Sequence, residues 1–351
     1  MRNALLLTGA AARISQEVAL IDQLIEHRQL NIDQENTMLA GFSSGALNIA
    51  AINACFRTEQ PLSWDKHFKE DLLFKAKTAD VLNTGKTLPF NTTPLRNMLN
   101  GFLDKAGMKN FDQCRFNTYI LAFSYRRLST IWVHNRNKHH NESKLLPLLM
   151  ATTAIPLIFP DQPIVNNNPK NQKFLNGNFA DGGIGGSFKR FEKHLKKEFR
   201  QNGPFDNIYI VSPMREVVKE DFDALKALIP ASDRFKMDLK EFKVLRLFLE
   251  MISQNGFDTF VKRLHRWSRK HKIASNIYIS IPALEKNFPI LNFDFQQEQY
   301  EAVSDWARKH PEKVCIPIHQ YVRKFENSPL RKIRVSLKRK LIHHIRSWRN
   351  R

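Results

Sequence analysis

The sequence predicts an α/β layered sheet, and three observations carry that expectation. Near the N-terminus an apolar run, a tight turn and a helical pattern follow one another twice. Further runs rich in β-forming residues recur along the chain, with helical patterns before and between them. The balance of 42% hydrophobic and 25% charged residues belongs to a folded globular protein, without an internal repeat or low-complexity tract.

The elements come in a simple order. Residues 4–8 form the first apolar run, ended by Gly9, and from Ser15 the residues Val18, Leu20, Ile21, Leu24 and Ile25 recur at helical spacing. A second run at 38–42 meets Gly41 and Ser43, after which Leu47, Ile49, Ala50 and Ile52 predict a helix beginning near Ser44. Runs at 118–123 and 130–133, separated by residues 125–128, predict a hairpin. Residues 207–211 and 277–281 are the remaining expected strands. A chain of 351 residues accommodates one main domain, expected over residues 1–325, with an appended end over 326–351.

Charge and cysteine content narrow the setting. Lys and Arg number 55 against 34 acids, a formal charge of +21 that favours a polyanionic partner. The three cysteines, Cys55, Cys114 and Cys315, are too few and too scattered for a disulfide framework or a Cys-rich metal site, and are expected as free thiols. Residues 1–8 lack the pattern of a signal peptide, and no apolar stretch reaches the length of a spanning helix. The expectation is a cytoplasmic protein whose membrane contact is peripheral.

The chemistry centres on Gly41-Phe42-Ser43-Ser44-Gly45, which fits G-x-S-x-G. Flanking glycines allow a sharp strand-to-helix turn that lifts the serine hydroxyl into the open. In isolation the pattern is weak and Ser43 would be a helix cap, but here an apolar run precedes it and a helical pattern comes after it. Unpaired N–H groups at such a turn favour developing negative charge. A serine needs a base, yet neither His194, His265 nor the other histidines lie in a recognisable catalytic context. Downstream of the serine stands Phe179-Ala180-Asp181-Gly182-Gly183, an acid at the end of an apolar run. Asp181 is read as the proton acceptor, which requires a water-excluding pocket; the bland alternative is an Asp-Gly turn. His134, His139, His140, His343 and His344 lack ligand spacing, so neither a metal nor a cofactor is expected.

Four blocks in order, Leu7 to Arg13, "GFSSGALN" from Gly41, "ATTAIPLIFP" from Ala151 and "DGG" from Asp181, resemble the patatin-like phospholipases. The resemblance covers residues 4–215 and extends weakly to 310, where "LNFDFQQEQYEAV" is similar to the family's terminal segment. It implies a three-layer α/β/α fold with a central, mostly parallel sheet, and a Ser/Asp dyad of Ser43 and Asp181 that cleaves acyl esters of membrane lipids without histidine. It also implies an oxyanion hole over Gly9, Ala10, Ala11 and Arg13, and a nucleophile elbow flanked by Gly41 and Gly45. Where the family has G-G-G-x-R-G this chain has Gly9, Ala10, Ala11, Ala12, Arg13 and Ile14, so alanines stand in for glycines. Alanine keeps the N–H donor, but costs roughly 1 to 2 kcal/mol if held at positive φ. Arg13 is expected to meet the charged intermediate or a headgroup phosphate; a solvated surface arginine is the plainer alternative. Pro156 and Pro160 are expected to shape the wall beside the serine.

Residues 331–351 contain nine Lys and Arg and no acid. Leu330, Ile333, Leu337, Leu341, Ile345 and Trp348 recur at helical steps, so residues 330–351 are expected to lie as an amphipathic helix on an anionic membrane, or else to pack on the main domain. A basic stretch at 262–272, with Trp267 inside it, could share either role. The rival functions are a catalytically weak or inactive docking protein and a basic nucleic-acid-binding protein. Nucleic acid is not the expected partner, because no finger, RRM or basic-zipper signature occurs.

Overall fold

A computed structural model describes residues 2–28, 30–32, 35–56, 59–82, 89–137, 140, 143–156, 158–164, 176–184, 187–213, 254–273 and 276–326. The two strand-turn-helix units open the fold. Strand β1 (Asn3–Leu7) leads to helix α1 (Ile14–Arg28), and β2 (Thr37–Gly41) to α2 (Ser44–Cys55). A π-helix (Trp64–Leu73), a single turn α3 (Thr78–Val81) and α4 (Thr93–Lys105) come next. The expected hairpin is β3 (Asn117–Ser124) and β4 (Ser129–His134). Then come α5 (Leu145–Thr152), the short strands β5 (Gln162–Ile164) and β6 (Gly177–Ala180), α6 (Ser187–Asn202) and β7 (Asn207–Val211). The described chain closes with α7 (Gln254–Lys270), β8 (Ile277–Ser280), α8 (Gln296–Lys309), α9 (Pro311–Val314), β9 (Ile316–Pro317) and α10 (Ile318–Glu326). The tail segment 330–351 lies outside the described residues.

The strands form one sheet in the order β5-β6-β3-β2-β1-β7-β8-β9, with β4 also on β3. Its centre is parallel: β1 pairs β2 and β7, β2 pairs β3, and β7 pairs β8. The outer pairings of β3 with β4 and β6, β5 with β6 and β8 with β9 are antiparallel. The central strands are uniformly buried because helices cover both faces, as apolar runs without alternation require. Leu5, Leu7, Leu39 and Val211 pack under α1, α2 and α8. Ala4, Leu6, Met38 and Ile210 point the other way, into Phe188, Phe191 and Leu195 of α6 and Phe257, Phe260 and Leu264 of α7. The arrangement is a three-layer α/β/α fold. Pieces β5, β6 and β9 escape the sequence pattern, because two to four residues are too short to show a period.

Register brings two distant segments together. At Tyr119 and Ile120, β3 carries β2 on one edge and β4 on the other. At Phe123 and Ser124 it pairs with β4 and with β6, so β6 takes the β2 edge just where β2 has ended. Gly41 faces Ile120 in the parallel pairing, and Ala180 faces Phe123 in the antiparallel one. Two residues past Gly41 is Ser43, and one past Ala180 is Asp181. Both therefore arrive at the level of Ala122, from opposite directions.

Candidate active site

Ser43 sits at the turn from β2 into α2 with φ 53° and ψ −135°, a conformation costing a non-glycine residue on the order of 1–3 kcal/mol. Its neighbours allow it. A Cβ on Gly45 would lie 2.6 Å from the Leu7 carbonyl oxygen, and one on Gly41 would lie 2.6 Å from Ile49 Cδ1. Only glycines let the elbow press against β1 and α2 this closely. Behind the serine, the Ser43 N–H donates to Thr152 Oγ1 at 3.0 Å, and that hydroxyl donates in turn to the Leu121 carbonyl.

Asp181 is 2% exposed. Its N–H donates to the Ala154 carbonyl at 2.8 Å, and the next N–H, of Gly182, to the Thr152 carbonyl at 3.2 Å. One carboxylate oxygen, Oδ1, accepts the Gly183 N–H at 2.6 Å. The other, Oδ2, is buried without a hydrogen bond of ordinary geometry among the described residues. Burial pushes the carboxyl up to about 6, against the pull of the Ser43 hydroxyl and the Gly183 N–H. An acid so placed is still ionised at neutral pH, yet is a far better proton acceptor than a solvated aspartate.

The first loop lies against the elbow. A Cβ on Gly9 would fall 2.3 Å from Ser43 Cβ, so glycine is obligatory there. Of the alanines, Ala11 has φ 47° and bears the strain anticipated from the sequence, whereas Ala10, at φ −147°, does not. The Ala10 N–H donates to Ser44 Oγ at 2.9 Å, which locks loop to elbow but occupies that donor. Among the described residues no acceptor is bonded to the N–H of Gly9, Ala11 or Ser44. Arg13 is neither at the serine nor in solvent. It is buried, with Nε donating to the Phe288 carbonyl at 3.0 Å and Nη2 to Asn287 Oδ1 at 3.4 Å. Its guanidinium ties the loop to residues 287–290, reinforced by the Ala12 N–H to the Ile290 carbonyl at 2.9 Å.

That segment supplies wall residues to which the sequence reading gave no role. Ile290 and Leu291 enclose the space above Ser43 and Asp181, together with Phe42 and Ile155. Behind it opens an apolar cavity reaching from Ser43 to Phe68 and Leu72 of the π-helix and Leu95 and Leu99 of α4. Such an apolar lining suits a hydrocarbon chain. Leu149, Ile155 and Phe159 contribute from the "ATTAIPLIFP" region, so its apolar residues line the wall and Thr152 braces the elbow. No histidine among the described residues lines either space. His194 packs instead against Trp132 beyond β4, held down to about 4 by burial and then by Lys197.

No family model matches the chain, and no curated protein does. Among solved structures the chain is similar to the crystal structure of VipD from Legionella pneumophila, at 11% identity over 88% of this chain and 67% of that one, with a TM-score of 0.36. A likeness of that depth carries nothing about the chemistry, which rests on the geometry alone. No described helix is long and apolar enough to cross a membrane.

Proposed function

We propose that the chain is a serine acyl hydrolase of the patatin-like phospholipase type, in which Ser43 is the nucleophile and Asp181 its base. The observation that carries this reading is the meeting of a strained serine and a buried, proton-accepting aspartate at one level of β3, beside a cavity of hydrocarbon character. Ser43 Oγ attacks the ester carbonyl carbon while Asp181 takes the hydroxyl proton. Negative charge on the carbonyl oxygen is met by backbone N–H groups of Gly9 and Ala11 and of the residue after the nucleophile, Ser44. Asp181 then returns its proton to the departing alcohol, and water releases the acyl group by the same steps in reverse roles. With the Ala10 donor committed to Ser44, the hole has one donor fewer than the first loop contains, and turnover is expected to be modest.

The acyl chain would occupy the cavity toward α4, and the substrate class is an acyl lipid. The basic, periodic segment at 330–351 supports peripheral attachment to an anionic membrane, as a proposal from its sequence. The test is hydrolysis of short- and long-chain nitrophenyl esters and of phospholipid vesicles, with products identified by mass spectrometry. Ser43→Ala and Asp181→Asn should each abolish release, and Leu99→Trp should suppress long-chain turnover more than short. Turnover near the wild-type rate in either dyad variant would remove the assignment.

A further inference from the structure

The turn joining β3 to β4 contains Tyr125, Arg126, Arg127 and Leu128, all exposed. Leu128 is 79% exposed and sits at φ 46°, so a large apolar side chain stands in water on a strained backbone. Neither feature helps the fold. Beside the turn, between β4 and α6, is an open cleft whose described lining contains Arg127, His140, Arg190 and His194 and no carboxylate. Trp132, 7% exposed, faces this cleft, and its Nε1 is buried without an acceptor among the described residues. Two arginines in a cleft without a described carboxylate suit an oxyanion.

The charge extends along α6. Lys189, Lys193 and Lys197 project outward from the helix, while Phe188, Phe191 and Leu195 pack into the core. The one acid on the exposed side, Glu192, is neutralised twice, by Lys196 at 2.5 Å and Arg263 at 2.7 Å. Arg190 is half-buried and meets no carboxylate among the described residues, and it belongs both to this cleft and to a second basic hollow against α7. Asp161 is the acid that lies near Tyr125, on the far side of the turn from the cleft lining.

Position ties these features to a surface. The turn leaves β3 at its C-terminal end, where Ser124 pairs with Phe179, two residues before Asp181. It therefore lies on the same edge of the sheet as the elbow and the aspartate. Exposed aromatic and aliphatic residues interleaved with arginine suit the interface of a bilayer, where rings and methyls enter the headgroup layer and guanidinium groups meet phosphate.

We propose that this edge docks on an anionic lipid bilayer, with Tyr125 and Leu128 in the headgroup layer and a lipid phosphate held in the cleft by Arg127 and Arg190. This site is separate from the tail at 330–351 and does not depend on the chemistry assigned to Ser43. A phosphatidylcholine surface offers no net charge, whereas phosphatidate offers an accessible phosphomonoester, the better match to a cleft without acids.

Flotation of the full chain, with Ser43→Ala to keep the lipid intact, decides the matter. Vesicles of phosphatidylcholine are compared with vesicles containing about one fifth phosphatidate, which are expected to bind at least about tenfold more tightly. Arg190→Glu and Leu128→Ser should each lower that binding about five- to tenfold. Leu128 is exposed and Arg190 half-buried, so thermal melts of both variants must match the parent to show that the fold survives. Lys309→Glu on α8, outside the cleft, should leave binding unchanged. The proposal is overturned if both cleft variants bind like the parent, or if Lys309→Glu loses as much. It also fails if glycerol phosphate saturates the cleft without any vesicle recruitment, or if duplex DNA binds in preference and is lost with Arg190→Glu. In a Ser43-intact background Arg190→Glu should still hydrolyse a soluble short-chain ester, which keeps failure of docking distinct from failure of the catalytic assignment.

Discussion

Thr152 holds Ser43 from behind: its Oγ1 accepts the serine N–H at 3.0 Å and its hydroxyl donates to the Leu121 carbonyl of β3. One hydroxyl thus spans elbow and sheet, while the Thr152 carbonyl receives Gly182 N–H, beside Asp181. The expected consequence is that Thr152→Val leaves the Ser43 N–H and the Leu121 carbonyl short of a partner, costing about 1–3 kcal/mol of stability. Loosening the elbow should lower kcat by roughly ten- to a hundredfold with little change in KM. Thr152→Ser, which keeps the hydroxyl, should recover most of both. Chemical denaturation and ester kinetics on the two variants make the comparison, and equal losses would show that the methyl group matters and the hydroxyl does not.

In the proposed mechanism the pH profile follows Asp181. Because the base must be ionised and burial has pushed it up to about 6, kcat/KM should rise with pH through about 6 and level off above it. Stability runs the other way. A carboxyl whose folded value is raised favours the fold at pH values below its unfolded value near 3.8, and that advantage is lost as pH rises to about 6. Asp181→Asn should therefore be inactive and more stable than the parent by up to about 3 kcal/mol at pH 8, with no such advantage at pH 4. Thermal melts at the two pH values read this directly.

Glu17 on α1 is wholly buried, with Oε2 accepting from Asn48 Nδ2 at 2.7 Å and Oε1 left without a partner among the described residues. Burial drives its carboxyl well above the ordinary range, opposed by Asn48 and by the Thr8 backbone. Its proton helps the fold from low pH and that help is lost as pH rises from the unfolded value of 4.5 toward the raised folded one. Glu17→Gln should melt close to the parent at pH 4 and progressively above it as pH increases. A constant difference across the range would show that Glu17 does not titrate out of register with the unfolded chain.

The first loop separates its alanines. Ala11→Gly removes a positive-φ alanine and should stabilise by about 0.5–1 kcal/mol after the added freedom of the unfolded chain is counted. Ala10→Gly, at φ −147°, relieves nothing and should destabilise by about 0.5–1 kcal/mol. Gly9→Ala drives a methyl into Ser43 and should extinguish hydrolysis. Parallel denaturation curves and kcat for the three variants would reverse this order if the loop adopts another path.

Strands β1, β2, β3, β7 and β8 and the helices α1 and α2 were legible from the sequence, because buried parallel strands read as short apolar runs and these helices as apolar residues recurring at helical spacing. Ser43 and Asp181 were legible as types in a pattern, each with a turn that its glycines require. What residue order could not express was their meeting, which depends on β6 taking over the β2 edge of β3, a pairing of two residues across a gap of more than fifty positions. Arg13 shows the same limit. Its sequence position suggested the intermediate or a headgroup, and the fold turned it instead onto the carbonyl of Phe288, because a buried guanidinium must be satisfied by whatever acceptor the neighbouring segment brings. The sequence alone determined the elements and the candidate groups. Which of them share a pocket, how far burial shifts Asp181, and which N–H groups remain available were decided by packing, since each depends on contacts between segments that are far apart in the chain.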